Sequence, residues 1–441
     1  MSHTYPMATQ PNAIAPPEPL SLGAVLRIPV MRRLWYAQLV STFGDFLALF
    51  AVIGVLTFRL NASPRQVTGL QIAYLLPIAI LGILAGVFVD RWPVKPTLVS
   101  SDLIRASLVL LLLGAHQLWQ FYAILAAISV ISSFFGPAQG IALRSAVPLH
   151  GLRSANALMQ QVMFGMRIIG PALAAFLVAT VGPNVCYLAD SASFAASGCL
   201  IATLALPRPQ QPEADSDPLP PLAFSNEPQT KKQSALGSIL PDMRQGISFI
   251  VHHAGLLFVI LALAAGMFVI GCFGPLIAVY VRDSLQASTK IFGIASAMIG
   301  VGMLAGVNVL NTAGKHLKNE TLVYAGLTGI AAGLALLTGF PHVWATILGN
   351  LVIGFSVAGI VVPSNTMIQQ ETPHALMGRV GSTVMSLVVT AQISGLFASG
   401  QLANRIGVRH VFAICAGLLL LLVVAGKLFM KHAEEPVPQV G

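Results

Sequence analysis

The chain has 441 residues, of which 56% are apolar and only 9% are charged, and its mean hydropathy is +0.80. Soluble domains carry roughly 25% charged residues, so this composition excludes an ordinary water-exposed surface. The formal net charge of +9 would suggest a nucleic-acid partner in a soluble protein. In a membrane protein an excess of Lys and Arg reflects orientation instead, so we expect the lipid bilayer, and no nucleic acid, as a partner.

Apolar stretches of membrane-spanning length recur along the whole chain. A spanning helix needs about 20 apolar residues, and the sequence contains about twelve such stretches. Their approximate limits are 34–58, 67–89, 97–115, 118–137, 157–181, 185–206, 255–280, 291–313, 321–339, 343–362, 380–402 and 411–430. The pattern predicts an all-α membrane protein with about twelve transmembrane helices.

One polar segment divides the chain near its middle. Residues 207–253 begin with many prolines and acidic residues, which predicts a cytoplasmic linker without a packed core. The apolar spacing near its end predicts either an amphipathic helix on the membrane face or an extension of the seventh span. On either side we expect a six-helix bundle, residues 34–206 and 254–430. Residues 1–33, which lack a signal-peptide core, are expected to form a disordered lead, and 431–441 a tail, both cytoplasmic.

The two halves carry a matching pattern of prolines. Pro137 near the end of the fourth span is followed by Pro148, and Pro363 near the end of the tenth is followed by Pro373. Similar spacing at equivalent positions supports a parallel repeat of six spans.

The distribution of basic residues predicts the orientation. If the N-terminus is cytoplasmic, Lys and Arg on the cytoplasmic side outnumber those on the other side roughly two to one. Both termini are therefore placed in the cytoplasm. The tryptophans lie at span ends, as an interfacial aromatic belt requires: Trp35, Trp92, Trp119 and Trp344.

Five charged residues fall inside apolar spans of the N-terminal half: Asp45, Asp102, Arg105, Arg167 and Asp190. Charges at lipid depth are costly, so each is a candidate functional residue. Desolvation favours the neutral form of a carboxyl group, which makes Asp45 a candidate for exchanging a proton near neutral pH. The alternative is a structural carboxylate that pairs with Arg167 or accepts a hydrogen bond from a neighbouring helix.

The remaining intramembrane charges have structural alternatives. Asp102 and Arg105 are three residues apart and share a helical face, which predicts a structural ion pair or a partnership with Asp90. Asp190 lies near the outer end of its predicted span. There, snorkelling or helix capping explains it as well as proton transfer does.

A charged hinge joins the second and third spans. It runs from Gly82 to Pro96 and contains Gly86, Asp90, Arg91 and Lys95. A helix N-terminus attracts negative charge, and Arg379 lies at the start of the eleventh span on the same side of the membrane. The carboxylate of Asp90, at the end of the second span, therefore lies close to where another helix can begin.

Small residues and a proline interrupt the fifth span around Arg167, at Gly165, Gly170 and Pro171. Small residues at this spacing allow two helices to approach closely. The Gly-Pro step also loosens the helical hydrogen bonding and allows a bend. A packing kink, found in many membrane helices, is the structural alternative to a functional motif.

The hinge and the fifth span resemble signatures of the major facilitator superfamily of secondary transporters. In that family the carboxylate matching Asp90 contacts the start of the eleventh helix and holds the two halves together in the outward-facing state. The glycine–proline stretch marks proton antiporters that export their substrates. This chain departs from the pattern at residues 92–94, where a glycine and a further base are commoner. It also has Ala174 and Ala175 in place of two glycines, and it has no arginine in the fourth span.

Three further stretches, 136–158, 182–194 and 369–380, resemble the branch of that superfamily that contains bacterial macrolide-efflux and siderophore-export proteins. The resemblance covers residues from about 28 to 430. It implies two six-helix bundles around a central cavity, in the inner membrane of a bacterium.

The resemblance implies a carrier that exports an amphipathic organic compound, drug-like or siderophore-like, in exchange for protons by alternating access. Asp45 would carry the proton, and Arg167 would tune its protonation or contact the substrate. A lipid or lysophospholipid transporter of the same fold is the alternative, since the second half has an almost uncharged interior.

Other classes of function have little support in the sequence. No catalytic set, phosphate loop or paired metal ligands indicates an enzyme, and the cysteines show no paired spacing. We therefore expect no cofactor and no metal. We expect a monomer whose partners are a small-molecule substrate, protons and the bilayer.

Overall fold

The computed structural model describes residues 20–89, 91–204, 245, 247–312, 317–373 and 376–434. The described part contains twelve long helices and no strand. They are α1 (Pro29–Gly54), α2 (Pro64–Val89), α3 (Val94–Leu110), α4 (Leu118–Ala146), α5 (Leu152–Thr180), α6 (Pro183–Ala202), α7 (Ala254–Asp283), α8 (Thr289–Thr312), α9 (Asn319–Gly339), α10 (Val343–Glu371), α11 (Met377–Ile406) and α12 (Val408–Glu434).

Ten of these helices are long and apolar enough to cross a membrane. The other two, α2 and α5, have 26 and 29 residues. The prediction of an all-α membrane protein is confirmed.

The helices form two bundles with the same internal arrangement. In the N-terminal bundle α1 packs on α5 and α6, α2 on α4, and α3 on α4 and α6. In the C-terminal bundle α7 packs on α11 and α12, α8 on α10, and α9 on α10 and α12. Between the bundles α2 packs on α11 and α5 on α8. These pairings repeat with a period of six helices, as a parallel repeat requires.

The helices extend beyond the apolar stretches of the sequence. The fourth and tenth stretches predict ends at residues 137 and 362, whereas α4 and α10 continue through Pro137 and Pro363. Proline is tolerated inside a transmembrane helix where neighbouring groups satisfy the freed backbone. Hydropathy marks the lipid-exposed length of a helix, so polar turns beyond that length are missed.

Residues 1–19 of the predicted N-terminal lead lie outside the described residues, and the remainder of the lead differs from expectation. Helix α1 begins at Pro29, and a short helix, Leu22–Arg27, precedes it. Part of the segment predicted as a disordered lead is therefore helical, because Ser21 caps Leu22–Arg27 by accepting a hydrogen bond from the Ala24 amide. The first part of the predicted linker, residues 207–244, lies outside the described residues. Residues 247–251, near its end, are helical.

We name the two ends of the bundles by the loops they carry. The Ser63 face carries the α1–α2 loop, and the Arg91 face carries the α2–α3 loop. Among the described residues the buried charged side chains all lie in the N-terminal bundle: Asp102, Arg105 and Asp190. The described interior of the C-terminal bundle buries only neutral polar groups, so the ionisable chemistry is concentrated in one half.

Candidate functional site: carboxylates inside the N-terminal bundle

Asp45 of α1 and Asp190 of α6 line the same cavity inside the N-terminal bundle. The cavity has room for about one water molecule. Asp190 is only 2% exposed, and Asp45 is half-buried. The other lining residues are Tyr74 and a set of apolar side chains: Ala48, Leu49, Val109, Leu112, Leu125 and Ile128.

The burial of Asp190 corrects one of the alternatives drawn from the sequence. A carboxylate that snorkels or caps the outer end of its span would reach solvent, and Asp190 does not. Helix α6 begins at Pro183, two turns before Asp190, and its packing against α1 turns this side chain into the bundle. The sequence pattern gives the depth of a residue only to within a turn or two.

Gly44 brings α1 and α6 together beside this cavity. A methyl group on Gly44 would lie 2.5 Å from Oδ1 of Asp190 and 2.8 Å from its Cα, and it would collide with Ser193. The missing side chain at Gly44 therefore allows the Asp190 carboxylate to lie against the α1 backbone, one residue away from Asp45.

Asp102 and Arg105 form a buried ion pair on α3. Of the two alternatives drawn from the sequence, this is the structural ion pair. The Ser197 hydroxyl donates to Oδ2 of Asp102 at 2.7 Å. The Arg105 guanidinium carbon lies 4.3 Å from the ring centroids of both Phe135 and Phe194. Arg105 is thus held on two faces by aromatic rings, which links α3 to α4 and α6.

The structure describes part of the charged hinge between α2 and α3. Asp90 lies outside the described residues, so its contact with another helix stays a prediction. Arg91 is exposed, and a methyl group on Gly86 would meet no other atom within 4 Å. The Lys95 ammonium donates to the carbonyl of Leu204 at 2.8 Å, which ties the start of α3 to the end of α6.

Arg379 lies in the first turn of α11 on the Arg91 face. Its guanidinium donates to the side-chain carbonyl of Gln245. Arg379 therefore connects the start of α11 to the chain that leads into α7.

The glycine–proline stretch of α5 packs on α1 at one point. A methyl group on Gly170 would lie 2.6 Å from Cβ of Phe46, so this glycine is required for the close approach. A methyl group on Gly165 would meet no other atom within 4 Å. The side chain of Arg167 lies outside the described part of the chain, so its pairing with Asp45 also stays a prediction.

The same stretch of α5 faces α8 across the two bundles. A methyl group on Gly293 would lie 3.0 Å from the carbonyl oxygen of Pro171 and would collide with the methyl group of Ala175. Phe292 beside it packs on two rings of the first span, with centroid distances of 5.8 Å to Phe50 and 6.3 Å to Phe58.

Polar contacts close the bundles together at the Ser63 face. The Arg282 guanidinium of α7 donates to the carbonyl of Thr57 at 2.9 Å and to that of Ala62 at 2.8 Å. On the other side of the interface Gly400 of α11 lies against Thr68 of α2. The bundles are thus joined at the Ser63 face.

Sequence reasoning missed several residues of this arrangement: Gly44, Tyr74, Ser193, Arg282 and Gly293. Gly44 immediately precedes Asp45, and a glycine beside an intramembrane charge was an available signal for close helix approach. Nothing in the local sequence indicates that Gly293 and Ala175 meet, because they are far apart in the chain. Among the described residues no group of three or more His, Cys, Asp or Glu side chains is placed to hold a metal.

Two equivalent six-helix bundles, joined at one face and charged inside one half, define a multi-helix membrane transporter. The family model of the Major Facilitator Superfamily matches residues 34–388 and again residues 259–440. The chain belongs to this superfamily.

Known relatives and structures agree with this assignment. The chain is 27% identical to the MFS-type transporter YfiS of Bacillus subtilis, over 90% of this chain and 93% of that protein. It is 23% identical to macrolide efflux protein A of Streptococcus pyogenes, over 89% and 93%. The fold is similar to that of a bacterial homologue of the human lysosomal transporter Spinster, with a TM-score of 0.69, 11% identity and coverage of 93% and 99%.

Proposed function

We propose that this transporter exports an amphipathic organic compound in exchange for protons, by alternating access. The observation that carries the proposal is the pair of carboxylates, Asp45 and Asp190, in a cavity of the N-terminal bundle. Intramembrane carboxylates of this kind mark proton relays in carriers. Efflux is supported by the similarity to macrolide efflux protein A.

Alternating access is supported by where the two bundles meet. The contacts of Arg282, Phe292 and Gly293 close the Ser63 face. The Arg91 face carries the hinge with Asp90, which is proposed to close in the opposite state. Two closures at opposite faces are what a rocking-bundle carrier needs.

Orientation follows from the basic residues. Lys and Arg are concentrated in the loops of the Arg91 face, so this face and both termini are proposed to be cytoplasmic, in the inner membrane. The contacts between the bundles at the Ser63 face then lie at the outer side of the membrane. A substrate would enter from the cytoplasm or the inner leaflet.

Inverted membrane vesicles with an acid interior test the proposal. A macrolide, added outside, should dissipate the pH gradient when the native chain is present, measured with a pH-sensitive fluorescent dye. Asp45→Asn should abolish the response, and Glu320→Gln, a carboxylate of the C-terminal bundle, should leave it intact.

Two results would count against this mechanism. Undiminished gradient dissipation by Asp45→Asn would remove Asp45 from the proton path. Macrolide accumulation that needs no pH gradient would remove proton coupling itself. If a lysophospholipid, rather than a macrolide or a siderophore, dissipates the gradient, the substrate class changes to lipid, which the uncharged interior of the C-terminal bundle also suits.

A further inference from the structure

The charges inside the N-terminal bundle do not balance. The described side chains contribute three carboxylates, Asp45, Asp102 and Asp190, and one cation, Arg105. Asp102 forms an ion pair with Arg105, which also attracts Asp45 and Asp190 at longer range. The described groups therefore include two more carboxylates than cations, and Asp45 and Asp190 line one cavity without a described ion pair of their own.

Asp190 also lacks a good hydrogen-bond donor. The Ser193 hydroxyl is 3.4 Å from Oδ1 of Asp190 but only 2.7 Å from the Asp190 carbonyl oxygen. A hydroxyl has one proton to donate, so the shorter bond to the backbone uses it. A carboxylate that is 2% exposed and lines a cavity is therefore left, among the described side chains, with only this long contact to Ser193.

Among the described residues, the other groups around the pair do not supply the missing charge. Helix α2 contributes the Tyr74 hydroxyl, and α3 contributes the occupied pair of Asp102 and Arg105. Helix α4 contributes only apolar side chains to the cavity wall. On α5 the side chain of Arg167 lies outside the described part, so the Arg167→Gln variant is needed to test whether it neutralises the pair.

We infer that the two carboxyl groups that line this cavity, Asp45 and Asp190, hold a single proton between them. Two like charges in a low-dielectric site repel strongly, and one bound proton removes that repulsion. On release the proton goes to water and both groups become carboxylates. The inference rests on the proposed antiport, because the shared proton is the one that would be exchanged.

The size of the cavity separates the proton from the organic substrate. Pockets for drug-sized ligands occupy about 300–1,000 Å³, whereas this cavity lies within one bundle and has room for about one water molecule. The substrate is therefore expected to pass between the bundles, and the proton to bind inside one of them.

Gly44 acts as a positioning residue for the pair. Its missing side chain lets the Asp190 carboxylate lie against the α1 backbone, next to the residue that carries the Asp45 carboxylate. Gly44→Ala should therefore weaken proton-driven transport about as much as Asp190→Asn does. Gly140→Ala is the matched control, because a methyl group there meets no other atom within 4 Å.

Infrared spectroscopy of the purified full chain counts the bound protons directly. The carbonyl stretch of a protonated carboxylic acid, calibrated against a known concentration of such an acid, should correspond to one proton per chain at neutral pH. Either Asp45→Asn or Asp190→Asn should abolish this band, since each leaves a lone carboxylate facing a neutral amide. Glu320→Gln should not change it.

Three results would overturn the shared proton. Two protons per chain, or a band halved by each single variant, would show independent neutral carboxyl groups. No band in the native chain, with one appearing in Arg167→Gln, would show that Arg167 neutralises the pair. A band lost on adding sodium would assign the site to that cation.

Transport provides a second measurement. The double variant Asp45→Asn/Asp190→Asn should lose no more activity than either single variant, because the two residues act as one unit. Multiplicative losses would contradict the inference. If the infrared result holds while vesicles show no proton-driven transport, the shared proton stands and the antiport fails.

Discussion

Gly293 of the C-terminal bundle lies directly against Ala175 of the N-terminal bundle. The sequence places an alanine at residue 175, where the resembling motif has a glycine, and the glycine that allows close approach is supplied by α8 instead. The contact is therefore made of one small residue from each half, and it sets how closely the bundles meet at the Ser63 face.

Gly293→Val should open the Ser63 face. A branched side chain has no space against Ala175 and the Pro171 carbonyl, so the bundles must separate there. Spin labels at Leu60 and Asn404, one in each half, should show a longer distance distribution by electron paramagnetic resonance. Gly417→Val, at a position with no neighbour within 4 Å, should leave the distances unchanged; equal effects of both variants would contradict this account.

Arg282→Gln should weaken the same closure without changing the packing. The guanidinium bonds to Thr57 and Ala62 cross between the bundles, and losing these charge-assisted bonds should cost the closed arrangement about 2 kcal/mol. The same spin labels should report the larger open population. The control is Arg409→Gln, whose guanidinium bonds to the Thr338 carbonyl within one bundle and should not affect the distances.

Arg105→Met should destabilise the N-terminal bundle. It leaves Asp102 as a buried, unpaired carboxylate, and breaking a buried pair in this way typically costs about 3–5 kcal/mol. Thermal unfolding in detergent measures the loss, and Arg91→Met, at an exposed site, should show little. The double variant Asp102→Leu/Arg105→Met should recover most of the stability; additive losses would mean that the pair does not act as a unit.

Asp90→Asn should favour the arrangement that is closed at the Ser63 face. A carboxylate at a helix N-terminus contributes about 1 kcal/mol, so its loss should shift the ratio of the two states about fivefold. Spin labels at Trp92 and Gln370 on the Arg91 face should show the shift. Equilibrium binding of the transported compound should be almost unchanged, and a large loss of affinity would assign Asp90 to the substrate site instead.

The sequence identified charged residues inside the apolar spans, but it did not show which of them meet in the folded protein. Asp45, Asp102, Arg105 and Asp190 stand out because charged side chains inside apolar spans are costly. Which of these residues lie together was harder to predict. Asp102 and Arg105 share one helix and could be matched by spacing, whereas Asp45 and Asp190 come from helices far apart in the chain.

The sequence by itself determined that this chain is a membrane protein of about twelve helices in two halves, because lipid imposes a length and polarity on every spanning segment. The tertiary structure decided which carboxylates share a cavity and which face of the two bundles is closed. These depend on close approach at Gly44 and Gly293, where a missing side chain on one helix meets a residue of another. Such contacts join distant parts of the chain, and no local pattern records them.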